Sequence, residues 1–95
     1  MKSFDLRYHP RVREDVAGLP ANLRLRLAEA IRARLTREPR QYGHPLRAAL
    51  ARCWRLRVGD YRVVYRIEGG EVWVLAVLHR RAVYQEVGAR LDWSP

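Results

Sequence analysis

The sequence predicts an α+β fold in which an N-terminal strand and two helices pack on an antiparallel sheet, followed by a short C-terminal helix. Residues 53–67 alternate apolar and arginine side chains on either side of a Gly-Asp pair, residues 21–38 carry apolar side chains four apart, and residues 72–78 are almost all apolar. A period of two is typical of a strand with one buried face, whereas a spacing of four follows one side of a helix. With 95 residues, we expect a single domain over residues 1–95.

The N-terminal half is predicted to form one strand and two helices. Residues 3–9 alternate in the strand pattern up to Pro10, and residues 11–17 carry two valines one helical turn apart. Residues 21–38 form the longest predicted helix, which Pro39 ends because the residue before a proline resists the helical conformation. Its apolar stripe consists of Leu23, Leu27, Ile31 and Leu35. Residues 39–52 are expected to form a connection, with a possible helical turn at 48–52.

The central hairpin has a register that follows from its turn. Gly59-Asp60 supplies the turn, because glycine accepts a positive φ without a Cβ clash. A two-residue loop pairs Val58 with Tyr61 and Arg57 with Arg62. Arg55 lies on the same face, so three guanidinium groups share one side of the hairpin.

A second tight turn at Gly69-Gly70 leads into the apolar strand at 72–78. This loop pairs Ile67 with Val72, Arg66 with Trp73 and Arg62 with Val77, which would place Leu75 and Val77 on the arginine side of the sheet. Arg66 is then expected to stack on Trp73 through a cation–π contact. Beyond the strand, Val83, Val87 and Leu91 predict a short closing helix that ends near Trp93.

The arrangement of arginines indicates an anion-binding site. Like charges in cross-strand register destabilise a hairpin by a few tenths to about 1 kcal/mol per pair. Such a face could simply be solvated, with the arginine stems lying over apolar neighbours. The direct opposition of Arg57 and Arg62 instead favours a site for an anion with several oxygens, and among such anions a phosphate backbone.

Composition narrows the class of partner. The net charge is +9, the pI is about 11.0, and all but one of the 19 basic residues are arginine. This charge favours nucleic acid, an acidic protein or an anionic membrane surface as the binding partner.

A single cysteine excludes an intramolecular disulfide, and we find no metal-binding or cofactor motif, so neither a metal nor a cofactor is expected. Because no apolar stretch could span a membrane and no signal peptide is recognisable, we expect a cytoplasmic protein without a membrane partner.

Two stretches carry a resemblance to a known family, PLRAALARCWRLRVGDYRVVYRI and VLAVLHRRAVYQEV. Together they resemble the RelE/ParE superfamily of bacterial toxins from type II toxin–antitoxin systems, over essentially the whole chain. For the RelE-like branch the resemblance implies a small α+β fold and a ribosome-dependent endoribonuclease. Such a toxin cuts mRNA in the A site of the small ribosomal subunit through attack by the RNA 2′-OH. It also implies an antitoxin partner, which we expect to be acidic because the chain is strongly basic.

The resemblance assigns roles to five residues. Arg55 and Arg57 match the paired basic residues that orient and activate the RNA, and Arg62 matches the arginine that holds the scissile phosphate. Arg80 matches an arginine that stabilises charge or protonates the leaving group. Tyr84 matches a tyrosine that stacks on a base or transfers a proton.

Four further residues complete the candidate site. Arg81 could take the role given to Arg80, because the alignment at the strand end is ambiguous by one residue. His79 occupies a position where some members of the family carry a basic residue, and could act as acid or base. Arg47 and Arg66 are expected to bind RNA. Arg47 matches a Leu-Arg-Gly element in which this chain has Ala48 in place of the glycine.

Two other functions stay open at this point. The ParE branch shares the fold but inhibits DNA gyrase, so superfamily membership by itself does not decide the activity. The same arginines would also suit a basic RNA-binding module without catalysis. Retention of the five matched residues together favours the nuclease.

Overall fold

A computed structural model describes residues 3–82 and 84–94, in which five strands form one sheet of order β1-β5-β4-β3-β2. The strands are β1 Asp5–Tyr8, β2 His44–Pro45, β3 Trp54–Val58, β4 Tyr61–Glu68 and β5 Glu71–His79. The three long strands form the predicted antiparallel meander. β1 joins the sheet in parallel beside β5, with Asp5 opposite Glu71 and Tyr8 opposite Val74, so the sheet is mixed at that edge.

The helices lie mainly between β1 and β3 in the chain. They are α1 Val12–Ala17, α2 Ala21–Ala30, α3 Pro39–Tyr42 and α4 Gln85–Gly88. α2 continues directly into a π-helical turn, Ile31–Leu35, which ends three residues before the predicted end at residue 38. The described residues contain no helix that is long and apolar enough to cross a membrane.

One side of the sheet packs on α1 and α2. The predicted stripe of α2 lies here, with Leu27, Ile31 and Leu35 buried and Leu23 packed at the margin. The sheet contributes alternate residues to this core: Leu56, Val58, Val63, Tyr65, Val72, Val74 and Val77. The strand alternation predicted for the hairpin therefore places its arginines on the opposite side.

The hairpin register is confirmed, with Val58 opposite Tyr61 and Arg57 opposite Arg62. The pairing of Ile67 with Val72 and of Arg66 with Trp73 is also confirmed. The pairing of Arg62 with Val77 is wrong.

At a register shift between Val64 and Tyr65, β5 contains one residue more than β4, because Val64 pairs with Ala76 and Tyr65 with Val74. Arg62 therefore lies opposite Leu78. An extra residue in one strand reverses the alternation beyond it. Val77 therefore faces the helices, and Leu75, Ala76 and Leu78 face the other side.

The second side of the sheet has a smaller core of its own. It consists of Cys53, Val64, Leu75, Ala76, Leu78 and Val87. The loop before β3 and the C-terminal segment, which we define as residues 84–94, cover this core. The covering side chains are Leu46, Leu50, Tyr84, Leu91 and Trp93. The predicted closing helix corresponds to α4 and the turns after it, while Val83, which was assigned to it, lies outside the described residues.

The connection at 39–52 contains more regular structure than expected. α3, the two-residue strand β2 and a 3₁₀ turn at Ala48–Leu50 follow one another, and only the last of these was anticipated. Gly43 is needed between the first two, because a Cβ there would lie 1.7 Å from the hydroxyl oxygen of Tyr65. That hydroxyl donates a hydrogen bond to the carbonyl of Pro39, and burial raises the pKa of Tyr65.

Candidate functional site

Three arginines form the surface that we call the arginine face: Arg55 and Arg57 on β3 and Arg62 on β4. Arg55 and Arg57 are exposed, and Arg62 is half-buried. Within residues 3–82 and 84–94, no carboxylate forms an ion pair with any of the three. The arginine face thus presents concentrated positive charge to solvent, beside the smaller core.

Arg62 is oriented by the hairpin turn next to it. Its Nη1 donates hydrogen bonds to the carbonyl oxygens of Gly59, at 3.1 Å, and Tyr61, at 3.0 Å. A guanidinium group has five N–H donors in a rigid plane. Two donors are therefore used to fix the side chain, and those on Nη2 and Nε remain for an anionic ligand.

Arg80 reaches the same turn from the end of β5. Its backbone N–H donates to the carbonyl of Asp60 at 2.7 Å, and its Nε lies 3.6 Å from Oδ1 of Asp60. Arg62 and Arg80 are thus both anchored at Gly59-Asp60, although they are separated by a full strand in the chain. This turn therefore brings together two of the predicted site residues, Arg62 and Arg80.

His79 does not join this cluster. It lies opposite Tyr61, with the two rings edge to face and their centroids 5.4 Å apart. Because Tyr61 packs against the helix-side core, His79 lies on the other side of the sheet from Arg62, contrary to the expectation that it folds over the arginine face. Its Nδ1 accepts the backbone N–H of the exposed Arg81 at 3.2 Å.

Tyr84 lies on the same side of the sheet as the arginines. It immediately precedes α4 and is half-buried against the smaller core. Tyr84 belongs to the C-terminal segment, so the position of its phenol depends on the contacts that hold this segment in place.

Arg66 holds the C-terminal segment. Its Nη1 donates to the carbonyl of Leu91 and its Nη2 to that of Trp93 at 2.8 Å, while its guanidinium lies 4.3 Å from the ring centroid of Trp73. Its Nε lies 3.3 Å from the carboxylate of Glu68 without hydrogen-bond alignment. The predicted stacking on Trp73 is confirmed. The structure directs Arg66 inward, away from the RNA contact expected of it.

Arg47 is exposed and precedes the 3₁₀ turn at Ala48–Leu50. Leu46 and Leu50 on either side pack against the smaller core, so this loop borders the arginine face. Ala48 has a φ of +56°, a left-handed conformation that favours glycine. A glycine, as in the Leu-Arg-Gly element that the resemblance implies, would adopt this conformation without a Cβ clash.

The chemistry available at this surface is that of guanidinium groups and a phenol. Guanidinium donors bind phosphate oxygens and stabilise negative charge that develops during a reaction. In the described part of the chain, no cluster of three or more His, Cys, Asp or Glu side chains could hold a metal ion. The surface is thus suited to a phosphate group.

Residues 6–84 match the family model of the ParE toxin of the type II toxin–antitoxin system parDE. The chain belongs to this toxin family. It is 36% identical over 84 residues to toxin RelG of Mycobacterium tuberculosis, a match covering 86% of this chain and 97% of that protein. The sequence resemblance to the RelE/ParE superfamily is thereby confirmed, and the protein is a toxin of a toxin–antitoxin pair.

Solved toxin structures have the same fold. The toxin–antitoxin complex RelBE2 of M. tuberculosis matches with a TM-score of 0.79 and 34% identity, over 86% of this toxin and 97% of that chain. A variant of Escherichia coli toxin RelE in the free state matches with a TM-score of 0.68 and 22% identity, over 95% and 94% of the two chains. The predicted α+β, RelE-like fold is therefore confirmed.

The structure of this toxin contains two features that sequence reasoning missed. Arg26 of α2 lies against Gly59, where one guanidinium nitrogen is 3.7 Å from the position of an added Cβ. Arg90 is 2% exposed and pairs with Asp15 of α1. The basic flank of α2 was visible in the sequence, but no local pattern indicates which strand it approaches or that residues 75 positions apart form an ion pair.

Proposed function

We propose that this toxin is a metal-independent endoribonuclease that cuts mRNA in the A site of the small ribosomal subunit, without a cofactor. The observation that carries the proposal is the convergence of Arg62 and Arg80 on the Gly59-Asp60 turn, with Arg57 directly opposite Arg62. Arg57 and Arg62 offer guanidinium donors to the several oxygens of a phosphodiester, and Arg80 lies at the same turn beside Asp60. Similarity to the RelE-type toxins supports the choice of RNA.

RNA supplies the nucleophile for this reaction. The 2′-oxygen attacks phosphorus, the bond to the 5′-oxygen breaks, and the products are a 2′,3′-cyclic phosphate and a 5′-hydroxyl. A proton leaves the 2′-OH, and another is delivered to the departing 5′-oxygen. Arg62 and Arg57 are suited to stabilise the charge that develops on the phosphate oxygens.

The proton transfers require other groups, because an arginine keeps its proton at all physiological pH values. Tyr84 is the candidate for stacking on a base or for moving a proton, since its ring is on the arginine side of the sheet. Arg80, with exposed Arg81 as the alternative, is suited to stabilise the charge that develops on the departing 5′-oxygen, which takes its proton from Tyr84 or from water. Arg47 and Arg55 are proposed to hold the flanking RNA.

The antitoxin is proposed to be an acidic segment that covers the arginine face or displaces the C-terminal segment around Tyr84. The net charge of +9 favours such a partner. The similar M. tuberculosis structure is a toxin–antitoxin complex, and E. coli RelE has been solved with a peptide of its antitoxin. Co-expression with the acidic protein of the adjacent reading frame should suppress toxicity and give a complex at moderate salt.

The nuclease is tested by toeprinting of a translated message with purified toxin, followed by analysis of the new RNA ends. We expect cleavage within the ribosomal A site and a 2′,3′-cyclic phosphate at the upstream product. A 3′-hydroxyl end, or a message that stays intact, would contradict the proposed chemistry.

Inhibition of DNA gyrase is the second candidate function, because the matching family model is that of the ParE toxin. A supercoiling assay with purified gyrase separates the two activities. Strong inhibition of gyrase together with intact message would assign the toxin to the gyrase-directed type.

A further inference from the structure

An open cleft of about 510 Å³ lies beside the arginine face, between α2 with its π-helical turn and the end of β3. Its walls are formed by Arg26, Glu29, Ala30, Ala33, Arg34 and Arg57, with Gly59 at one end. The lining includes two alanines, whose small side chains leave room, and three arginines. The cleft is thus basic and open to solvent.

The cleft is accessible because the sheet is incomplete at this edge. Among the described residues, β2 pairs only with Trp54 and Arg55, whereas β3 continues to Val58. The last three residues of β3, Leu56, Arg57 and Val58, therefore have no neighbouring strand on this side. A ligand can approach the cleft along the exposed edge.

The charges in the cleft are not balanced within the protein. In residues 3–82 and 84–94, Arg26, Arg34 and Arg57 form no ion pair, although Glu29 lines the same cleft. Arg34 stacks over Tyr42 at 5.8 Å from the ring centroid, which restrains its guanidinium. Placing three like charges together is unfavourable unless an anion completes the site.

The cleft and the arginine face are continuous. Arg57 belongs to both, and Gly59 connects them. Arg26 approaches Gly59 from the helix side, and the carbonyl of Gly59 accepts a hydrogen bond from Arg62. Positive charge therefore extends from Arg62 around the hairpin turn to Arg26. A chain of phosphates bound at Arg62 has a direct path into the cleft.

We propose that this cleft binds the sugar–phosphate backbone of the RNA strand next to the scissile phosphate, with Arg26 and Arg34 each contacting a phosphate. The inference rests on the proposed RNA substrate. Guanidinium forks match phosphate oxygens bidentately. Sequence-independent contacts of this kind position a strand without reading its bases.

Salt dependence of binding provides the test. The probe is a twelve-nucleotide single-stranded RNA with 2′-O-methyl groups on every ribose, which removes the nucleophile and so prevents cleavage. Each phosphate contact to a single strand contributes about 0.7 to the slope of log K against log salt. The double variant R26A/R34A should therefore make this negative slope less steep by about 1.4. E29Q should tighten binding, because it removes the one negative charge among the residues that line the cleft.

A charge-matched double variant, R24A/R32A, is the control. Arg24 lines a groove between α1 and α2 that also contains Tyr8, and the charge of Arg32 partly offsets the rise that burial causes in the pKa of Tyr8. Both arginines therefore lie on the other flank of the helix. This control should leave the slope nearly unchanged. Thermal melts of all variants verify that each one is folded at the temperature of the binding assay.

Each alternative result has a defined meaning. Equal slope changes in the two double variants would indicate diffuse charge and overturn the cleft site. If R26A/R34A keeps the wild-type RNA slope but no longer binds a polyglutamate peptide that the wild type binds, the cleft is a site for an acidic polypeptide, and the RNA site is overturned. Wild-type toxin that binds the probe and cuts a translated message, while R26A/R34A behaves identically in both assays, would refute this inference alone. Wild-type toxin that leaves a translated message intact would refute the proposed function as well.

Discussion

Arg90 and Asp15 form a buried ion pair that joins the C-terminal segment to α1. Arg90 Nη1 and Nη2 donate to the two carboxylate oxygens of Asp15 at 2.7 and 3.0 Å. The same two side chains form hydrogen bonds with backbone groups of β5 at its register shift. Arg90 also donates to the carbonyl of Leu75, and Asp15 accepts the N–H of Val77. The carboxylate raises the pKa of Arg90 through its hydrogen bonds and charge, against the opposing effect of burial.

The first prediction concerns this ion pair. Asp15→Asn leaves the Arg90 charge buried without a counter-ion, and removal of one partner from such a pair costs roughly 3–5 kcal/mol. We expect a loss of that size in the free energy of unfolding measured by chemical denaturation. Glu14→Gln on the same helix is the control, because its partner Arg11 is exposed, and it should match the wild type. Equal effects of the two variants would contradict a structural role for the buried pair.

The second prediction concerns Arg66 and the C-terminal segment. Arg66→Lys replaces a planar fork by a single ammonium, which cannot reach the carbonyls of Leu91 and Trp93 together. Hydrogen bonds to charged groups contribute about 1.5–3 kcal/mol, so the variant should be less stable by that order. Tryptic cleavage after Arg90, followed by mass spectrometry, should become faster. Exposed Arg37→Lys is the control. Weaker RNA binding with unchanged stability would instead support the RNA contact expected from the sequence.

The third prediction concerns the strained Ala48. Its φ of +56° costs about 1–2 kcal/mol for an L-residue, whereas glycine adopts this conformation freely. After allowance for the entropy cost of glycine, Ala48→Gly should stabilise the toxin by about 0.5–1 kcal/mol in thermal melts. Ala49→Gly in the same 3₁₀ turn should destabilise it by a similar amount. A destabilised Ala48→Gly protein would show that the left-handed conformation is not maintained in solution.

The fourth prediction separates Arg62 from Tyr84. Loss of one preorganised donor at developing charge lowers a rate by roughly 10²–10³, so Arg62→Ala should slow the chemical step by that factor. Tyr84→Phe should cut nearly as fast as wild type if the ring only stacks, and should resemble Tyr84→Ala if the phenol moves a proton. Single-turnover cleavage on programmed ribosomes measures these rates. Exposed Arg37→Ala is the control for loss of charge, and a folded, fully active Arg62→Ala toxin would disprove the proposed site.

The fifth prediction concerns pH and His9. Burial, and then the charges of Arg90 and Arg11, lower the pKa of His9 below its usual value near 6.5. The unfolded chain therefore takes up the proton first as pH falls, and the stability associated with neutral His9 is lost below about pH 6.5. Neutral His9 also accepts the N–H of Arg11 at Nδ1, at 3.1 Å.

His9→Asn is the matched variant, because an asparagine oxygen can accept the same N–H without titrating. Melting temperatures at pH 7.5 and 5.0 should differ less in His9→Asn than in wild type. An NMR titration should give His9 a pKa below that of an unstructured histidine. A pKa at or above that value would contradict the environment described for this ring.

Local patterns were sufficient to predict the hairpin and most of the helical elements. A two-residue turn leaves one possible pairing of the strands beside it, so the opposition of Arg57 and Arg62 followed from the positions of Gly59 and Asp60. The stripe on α2 identified its buried side for the same reason, since helical geometry brings residues four apart together. The family resemblance was carried by the hairpin with the loop before it, and by β5 with the residues that follow it.

Long-range packing decided the features that local patterns could not. The register shift between β4 and β5 turned Val77 toward the helices, because a single extra residue reverses every side chain beyond it. Arg66 was directed inward only because the C-terminal segment returns across its face and presents two carbonyl groups. The chain positions of Arg26 and Gly59, or of Asp15 and Arg90, do not reveal that these residues meet. Such contacts depend on how α1, α2 and the C-terminal segment pack together, and the free energy of that packing is shared among many residues distant in the chain.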